Sequence, residues 1–314
     1  MNARLPMVLP APPPALRSVA HRALSSGLSL ILCGCSGGVL DPQGPVGASD
    51  RAIFLDALLI MLVIVVPTIA IALWIAWHYR ASNTKAAYLP EWSYSGRIEA
   101  VAWAIPILVI LFLGGVIWIG SYQLDPFRPL DSKTRPVEVQ VVALDWKWLF
   151  IYPDAQIATV NALTIPAGVP VHFSITSASV FNTFFIPQLG SMIYAMPGTT
   201  SQLYLQADHP AVLMGESGHF SGDGFSDMLF QVHSVTPAAY AAWLQSTHGA
   251  GPSLDRRSYE LLSRQSHNVK PFAYGAVDAG LFDGIVTQKI APAPGPEPES
   301  PAHAGREKTS AGRL

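Results

Sequence analysis

The chain has 314 residues, half of them hydrophobic and only 13% charged, with a formal net charge of −2. A water-soluble domain carries nearly twice that charge, so the composition points to membrane segments and offers no electrostatic case for nucleic-acid binding. Both cysteines, Cys33 and Cys35, lie near the N-terminus, which excludes an internal disulfide, a zinc ribbon, an iron–sulfur cluster or a thiolate copper site in the 279 residues that follow.

Arg17 and Arg22 precede an apolar run over residues 23–32. The run is too short to span a bilayer but suits the hydrophobic part of a secretory signal. It leads into Leu32-Cys33-Gly34-Cys35-Ser36, which resembles a bacterial lipobox, with Gly34 as the small residue before the modified cysteine. The expectation is a signal peptide over residues 1–34, acylation (palmitate) at Cys35, and a flexible Gly/Pro tether over residues 35–50.

Residues 57–77 and 100–124 contain no charge. Each is long enough to cross about 30 Å of hydrocarbon at 1.5 Å per residue, and Pro67 and Pro106 are tolerable inside such helices. Transmembrane helices are expected over residues 51–79 and 98–123, with a cytoplasmic loop over residues 80–97. The loop holds His78, Arg80, Lys85 and Arg97 at or near its ends, but the flank after the second helix holds Arg128, Lys133 and Arg135. The exported N-terminus therefore sets the topology: out, in, then out. Glu99 opens the second helix, either as a solvated interfacial acid or as a carboxylate at a proton entrance.

From Pro136 the period changes. Residues 137–141 alternate apolar and polar, and Trp146, Trp148, Phe150 and Tyr152 recur at every second position, as one face of a strand would. This row reads either as core or as an exposed patch for a partner or for electrons. Further strands are expected over residues 159–165, 169–176, 200–206 and 228–234, separated by turn signals such as Pro153-Asp154, Pro166-Ala167-Gly168, Pro197-Gly198 and Gly222-Asp223-Gly224. Short strands at this spacing predict an all-β Greek-key barrel or sandwich over residues 136–236. Beyond it, residues 237–246 and 255–266 read as short helices, residues 272–286 as a segment anchored by Tyr274, Leu281 and Phe282, and residues 291–314 as a disordered Pro-rich tail.

Residues 215–228, GESGHFSGDGFSDM, form a loop of the kind that holds a metal at the end of a β-barrel, yet it has no Cys and one His. Together with Asp145-Trp146-Lys147-Trp148 through Tyr152-Pro153, and with residues 179–187 (SVFNTFFIP) followed by Leu189-Gly190, it resembles subunit II of the haem–copper respiratory oxidases. That resemblance runs from about residue 35 to 286. It implies two membrane helices followed by a periplasmic cupredoxin-like domain. In the branch oxidising cytochrome c, the domain carries a dinuclear copper centre on one upstream His and a loop spaced C-x-E-x-C-x-x-x-H-x-x-M.

Anchored on Met228, these positions fall one by one on Phe225 for the later His, Ser221 for the second Cys, His219 for the Glu carbonyl and Ser217 for the first Cys. The upstream His falls on Asn182. Only Met228 remains of the ligating side chains, and a thioether with two serines is no substitute for bridging thiolates. The resemblance is thus to the quinol-oxidase branch, of cytochrome bo type. This implies that the chain binds no cofactor itself, that subunit I carries the haems and one copper, that subunits III and IV and membrane lipid are its other partners, and that Glu99 lies near the mouth of a proton channel. The implied location is the bacterial inner membrane, with the β-domain and the short helical C-terminal region (residues 237–290) in the periplasm. The alternatives are an electron-transferring cytochrome c oxidase subunit, which the missing cysteines oppose, and a membrane-anchored cupredoxin-like binding lipoprotein. A mononuclear site on His209, Met214, Glu216 and His219 is a further alternative.

Overall fold

The computed structural model describes residues 38–87 and 89–292. The signal segment, Cys35 and residues 293–314 of the tail lie outside the described residues. Two helices come first, α1 (Pro45–His78) and α2 (Gly96–Gln123). Both are long and apolar enough to cross a membrane, and their apolar side chains are exposed along most of their length. The only buried residues on them are Gly47 on α1 and Gly120 on α2, the latter pressed against Ile53. Rings gather near their ends: Trp74 stacks on His78 at 5.0 Å, the Arg80 guanidinium sits 4.9 Å over Trp77, and Trp118 lies 5.3 Å from Tyr122. That is where aromatic rings meet a membrane surface.

Residues 38–50, expected as flexible tether, are instead packed on the β-domain, and α1 starts six residues before the expected boundary at residue 51. Gly44 and Gly47 explain this. A Cβ on either would overlap the backbone carbonyl of Gln206 or Gln188. Without one, Gln43 N donates to Gln188 O at 2.7 Å, Gly47 N donates to Leu189 O at 2.9 Å, and Asp208 N donates to Gln43 O at 2.8 Å. Ser191 Oγ adds a bond to Asp50 Oδ2 at 3.3 Å. The first helix thereby starts from residues hydrogen-bonded to the β-domain.

Ten strands follow: β1 (Val137–Leu144), β2 (Lys147–Tyr152), β3 (Ile157–Val160), β4 (Ala162–Pro166), β5 (Val171–Ser177), β6 (Asn182–Phe184), β7 (Ile193–Ala195), β8 (Ser201–Leu205), β9 (Ala211–Glu216) and β10 (Leu229–Val235). The C-terminal region adds α3 (Pro237–Thr247), β11 (Ser253–Leu254), α4 (Arg256–Leu262), β12 (Phe272–Tyr274), β13 (Ala276–Val277) and α5 (Leu281–Val286). A six-stranded sheet, in the order β12-β3-β2-β1-β5-β8, faces a three-stranded sheet, β4-β10-β9. Between them lies a core that includes Trp148, Phe150, Tyr152, Phe173, Phe184 and Phe230.

Three features depart from the strand expectations. The run over residues 159–165 is two strands in different sheets. The break is Asn161, whose φ of 53° is left-handed, a conformation Asn tolerates. Its side chain satisfies the break, accepting from Trp148 N at 2.7 Å and donating to Val269 O at 2.8 Å. Second, β9 was not legible, because Val212 and Met214 are exposed on its outer face and hide the alternation. Third, β2 is buried on both faces. Trp148, Phe150 and Tyr152 face the inter-sheet core, while Leu149 and Ile151 face a second core with Leu254, Tyr259, Leu262, Tyr274, Leu281 and Phe282. The C-terminal region that covers this face is helical as expected, and it also contributes a strand, since β12 pairs antiparallel with β3.

Candidate functional site

Strand β6 and the loop between β9 and β10 meet at one end of the β-domain. Phe185 and Glu216 exchange two backbone hydrogen bonds, at 3.1 and 2.9 Å, and Ser217 N donates to Met228 O at 3.1 Å. These bonds bring the positions singled out in the sequence to one place. Asn182, Ser217, Ser221 and Met228 are all buried. Ser217 Oγ lies 3.3 Å from both Asn182 Oδ1 and His219 O and accepts from Thr183 N at 3.4 Å. Ser221 Oγ lies 3.4 Å from Met228 Sδ. His219 is exposed, its ring edge-on to Phe181 at 4.6 Å, and Phe225 is half-buried beside Phe220 at 5.7 Å. The interior of the loop is therefore a plug of neutral polar groups and one thioether.

A dinuclear copper centre does not fit this donor set. Hydroxyl groups at neutral pH are not thiolates, Phe225 offers no donor, and Asn182 offers an amide already engaged with Ser217 and, through Nδ2, with Val180 O at 3.3 Å. Nor do His209, Glu216 and His219 gather: among the described residues no three His, Cys, Asp or Glu side chains are placed to share a metal ion.

Residues 109–235 match the family model for the periplasmic domain of cytochrome c oxidase subunit II, and residues 249–292 match the COX aromatic-rich motif. The chain is 47% identical to ubiquinol oxidase subunit 2 of Acetobacter aceti over 86% of its length and 89% of the relative's. It is 45% identical to cytochrome bo(3) ubiquinol oxidase subunit 2 of Pseudomonas aeruginosa, over 86% of this chain and 81% of that one. The chain belongs to the ubiquinol oxidase subunit 2 family. In this member, the loop that resembles a copper loop in spacing is closed by its own side chains.

The remaining sequence candidates separate. Glu99 lies in the first turn of α2, exposed, with its N–H donating to Ser95 O at 3.0 Å. The β-domain follows the other end of that helix, roughly 40 Å away at 1.5 Å per residue. Glu99 and the loop are thus two regions, not one site. The aromatic row is core: Trp146, Trp148, Phe150 and Tyr152 are all buried, which removes the reading of an exposed patch. Trp148 Nε1 still reaches the loop, donating to Met228 O at 3.4 Å, and Trp146 Nε1 donates to Ser221 O at 2.9 Å.

Sequence reasoning missed the buried charged pair, Asp145 and Lys147, that flanks Trp146. Lys147 is 1% exposed. Its Nζ donates to Asp145 O at 2.9 Å, Arg264 O at 2.8 Å and Ser266 Oγ at 2.7 Å, which uses all three protons. Burial pushes its pKa down to about 8, against the opposing pull of the Asp145 charge. Burial likewise raises the Asp145 carboxyl, with hydrogen bonds from Ser179 and Gln265 and the Lys147 charge working the other way. The signal was present in the sequence as a lysine flanked by tryptophans in an otherwise apolar strand. Two of its three acceptors, Arg264 O and Ser266 Oγ, are more than a hundred positions away, and no local pattern announces them.

Proposed function

We propose that this chain is subunit 2 of a proton-pumping ubiquinol oxidase of cytochrome bo type, and that it carries no redox centre of its own. The observation that supports this most is the closed plug of Asn182, Ser217, Ser221 and Met228 in the loop that otherwise has the spacing of a copper loop. A quinol dissolved in the membrane delivers its electrons within the bilayer, so a periplasmic relay is dispensable. The haems and the oxygen-reducing copper then reside in subunit I. This chain caps subunit I from the periplasm and assembles with it and with subunits III and IV.

The hydrogen-bonded junction between α1 and the β-domain suits such a cap, because it ties the domain to the start of the first membrane helix. In this reading Cys35 carries the lipid, the N-terminus and the β-domain lie in the periplasm, and the loop over residues 80–97 lies in the cytoplasm. Glu99, at the cytoplasmic end of α2, is then placed to attract protons toward an uptake channel in subunit I. Glu99→Ala should slow turnover severalfold while leaving the haem spectra intact; unchanged proton uptake and oxygen consumption would remove that role.

The decisive experiment compares oxygen uptake by the purified complex with quinol and with reduced cytochrome c, alongside copper electron paramagnetic resonance. Turnover with quinol alone, and no mixed-valence dinuclear copper signal, is the expected result. Oxidation of cytochrome c, or that copper signal, would overturn the proposal. Isolation of the chain without any haem-bearing partner would favour a free-standing binding lipoprotein instead.

A further inference from the structure

A loop that holds a metal is ordered by the metal. The loop between β9 and β10 has to be ordered without one, against the conformational entropy of each residue fixed. Its interior contacts are all neutral: Ser217 Oγ lies 3.3 Å from Asn182 Oδ1, Ser221 Oγ lies 3.4 Å from the Met228 thioether, Gly218 N donates to Thr183 Oγ1 at 2.6 Å and Ser217 N donates to Met228 O at 3.1 Å. Neutral hydrogen bonds contribute about half as much as those to a charged group. The loop's charged contact is on the outside, and its partners come from the C-terminal region.

Asp227 is the residue immediately before Met228. Its Oδ2 accepts from His267 Nδ1 at 3.1 Å and from the backbone N–H of Asn268 at 3.2 Å. The carboxylate is largely shielded, with 16% of its side chain exposed, while the histidine on the outside is 53% exposed. Bonds to a shielded charge are stronger than bonds between neutral groups. The His267 ring also covers Trp146, with centroids 4.7 Å apart. Trp146 in turn is inserted under the loop: its Nε1 binds Ser221 O, and a Cβ on Gly224 would overlap its ring.

The segment carrying His267 is itself anchored in the sheet. Lys147 Nζ binds Arg264 O and Ser266 Oγ, Ser266 N donates to Asp145 O at 3.1 Å, and Asn161 Nδ2 donates to Val269 O at 2.8 Å. Pairing of β12 with β3 completes the attachment. A continuous path therefore runs from strand β2 through residues 264–269 to the last residues of the loop.

We propose that residues 264–269 are a clasp that orders the loop over residues 217–228, with the His267–Asp227 pair as its closing contact. The comparison with a metal rests on the functional reading above; the mechanical role rests on the contacts alone. The match of residues 249–292 to an aromatic-rich motif places this clasp within a segment separate from the periplasmic-domain match.

Hydrogen exchange of the full-length chain in the purified complex tests this. In His267→Ala, amides of residues 217–228 should exchange at least tenfold faster, while those of β1, β2 and β5 hold their rates. Asp227→Asn, which removes the charge while keeping an acceptor oxygen, should give the same pattern, and the double variant should fall short of the product of the two single effects, because the two share the His267–Asp227 contact. His267→Asn, whose side-chain amide stands in for Nδ1–H, should recover part of the protection. If the loop's exchange stays unchanged in His267→Ala while residues 264–274 loosen, the segment holds only itself and the proposal falls. Should His267→Ala unfold the domain, Asp227→Asn keeps the shape and decides by the same criterion. These outcomes do not depend on the electron donor: cytochrome c oxidation by the complex would overturn the functional reading while leaving the exchange result to stand or fall separately.

Discussion

Val63 in the middle of α1 and Val212 on strand β9 are about equally exposed, 67% and 70%. They belong to regions built on opposite principles. The helical hairpin buries almost none of its own apolar surface, and its two helices meet mainly where Gly120 touches Ile53. Its backbone is satisfied internally, and its side chains need lipid or a partner subunit around them. The β-domain places its large rings between two sheets and gives the buried polar groups of Lys147 and Asn161 specific partners. Exposure of an apolar residue thus has no meaning until the solvent on that side is known. The hairpin is complete only in a membrane, whereas the β-domain carries its own interior.

The comparison can be broken in several ways, the largest first. Trp148→Ala should remove about 3–5 kcal/mol from the unfolding free energy of the β-domain, since Trp148 packs edge-on against Phe184 and Phe230, both at 5.6 Å. Trp103→Ala, at an exposed ring on α2, should leave that unfolding transition within about 0.5 kcal/mol of wild type. Denaturant titration followed by fluorescence measures both, and equal effects would erase the distinction. Val63→Asp and Val212→Asp sharpen it at matched exposure. The first should impair membrane insertion by about 3 kcal/mol, read from the fraction of chain recovered in the membrane, and the second should be neutral.

Lys147 supplies a test by pH. Its folded pKa is lowered, so between pH 8 and its ordinary value near 10.5 the unfolded chain binds the extra proton. Stability should therefore rise with pH, by on the order of 2 kcal/mol between pH 8 and 10. Above pH 10 the buried Tyr152, Tyr240 and Tyr259, all held protonated by burial, pull the other way. Asp145, raised by burial, acts only in the acid range. In Lys147→Met the rise between pH 8 and 10 should disappear; its persistence would mean another group carries it. Apart from the two controls expected to be near neutral, the smallest expected effect is Thr236→Ala. Thr236 caps α3 by accepting from Ala239 N at 3.3 Å, and its loss should cost about 0.5–1 kcal/mol locally, read as a small drop in melting temperature.

Much of this was legible because it depends on local chemistry. Uncharged runs of more than 20 residues admit few fates other than a bilayer, and alternation at period two marks a strand with one buried face. The positions Asn182, Ser217, His219, Ser221, Phe225 and Met228 were readable only through the resemblance to the copper-ligand pattern of haem–copper oxidase subunit II, and the fold brings Asn182, Ser217, Ser221 and Met228 to one end of the β-domain. What was not legible depends on distant partners. Nothing near Asn161 says that the chain changes sheets there until Trp148 and Val269 are seen bonded to its side chain. Nothing in the Gly/Pro stretch before Asp50 says that it docks, because its partners are carbonyls at Gln188 and Leu189.

The sequence by itself determined that the chain has two membrane-length helices, a β-rich domain and a loop stripped of thiolates. These follow from composition, period and residue type, which act over a few residues. Only the tertiary structure decided that Lys147 is buried among backbone carbonyls, that β2 is covered on both faces, and that residues 264–269 reach back to Asp227. Each of these is a contact across many tens of residues. Such contacts arise from the search for buried partners by polar groups that cannot stay unpaired, and that search is settled only when the whole chain is packed.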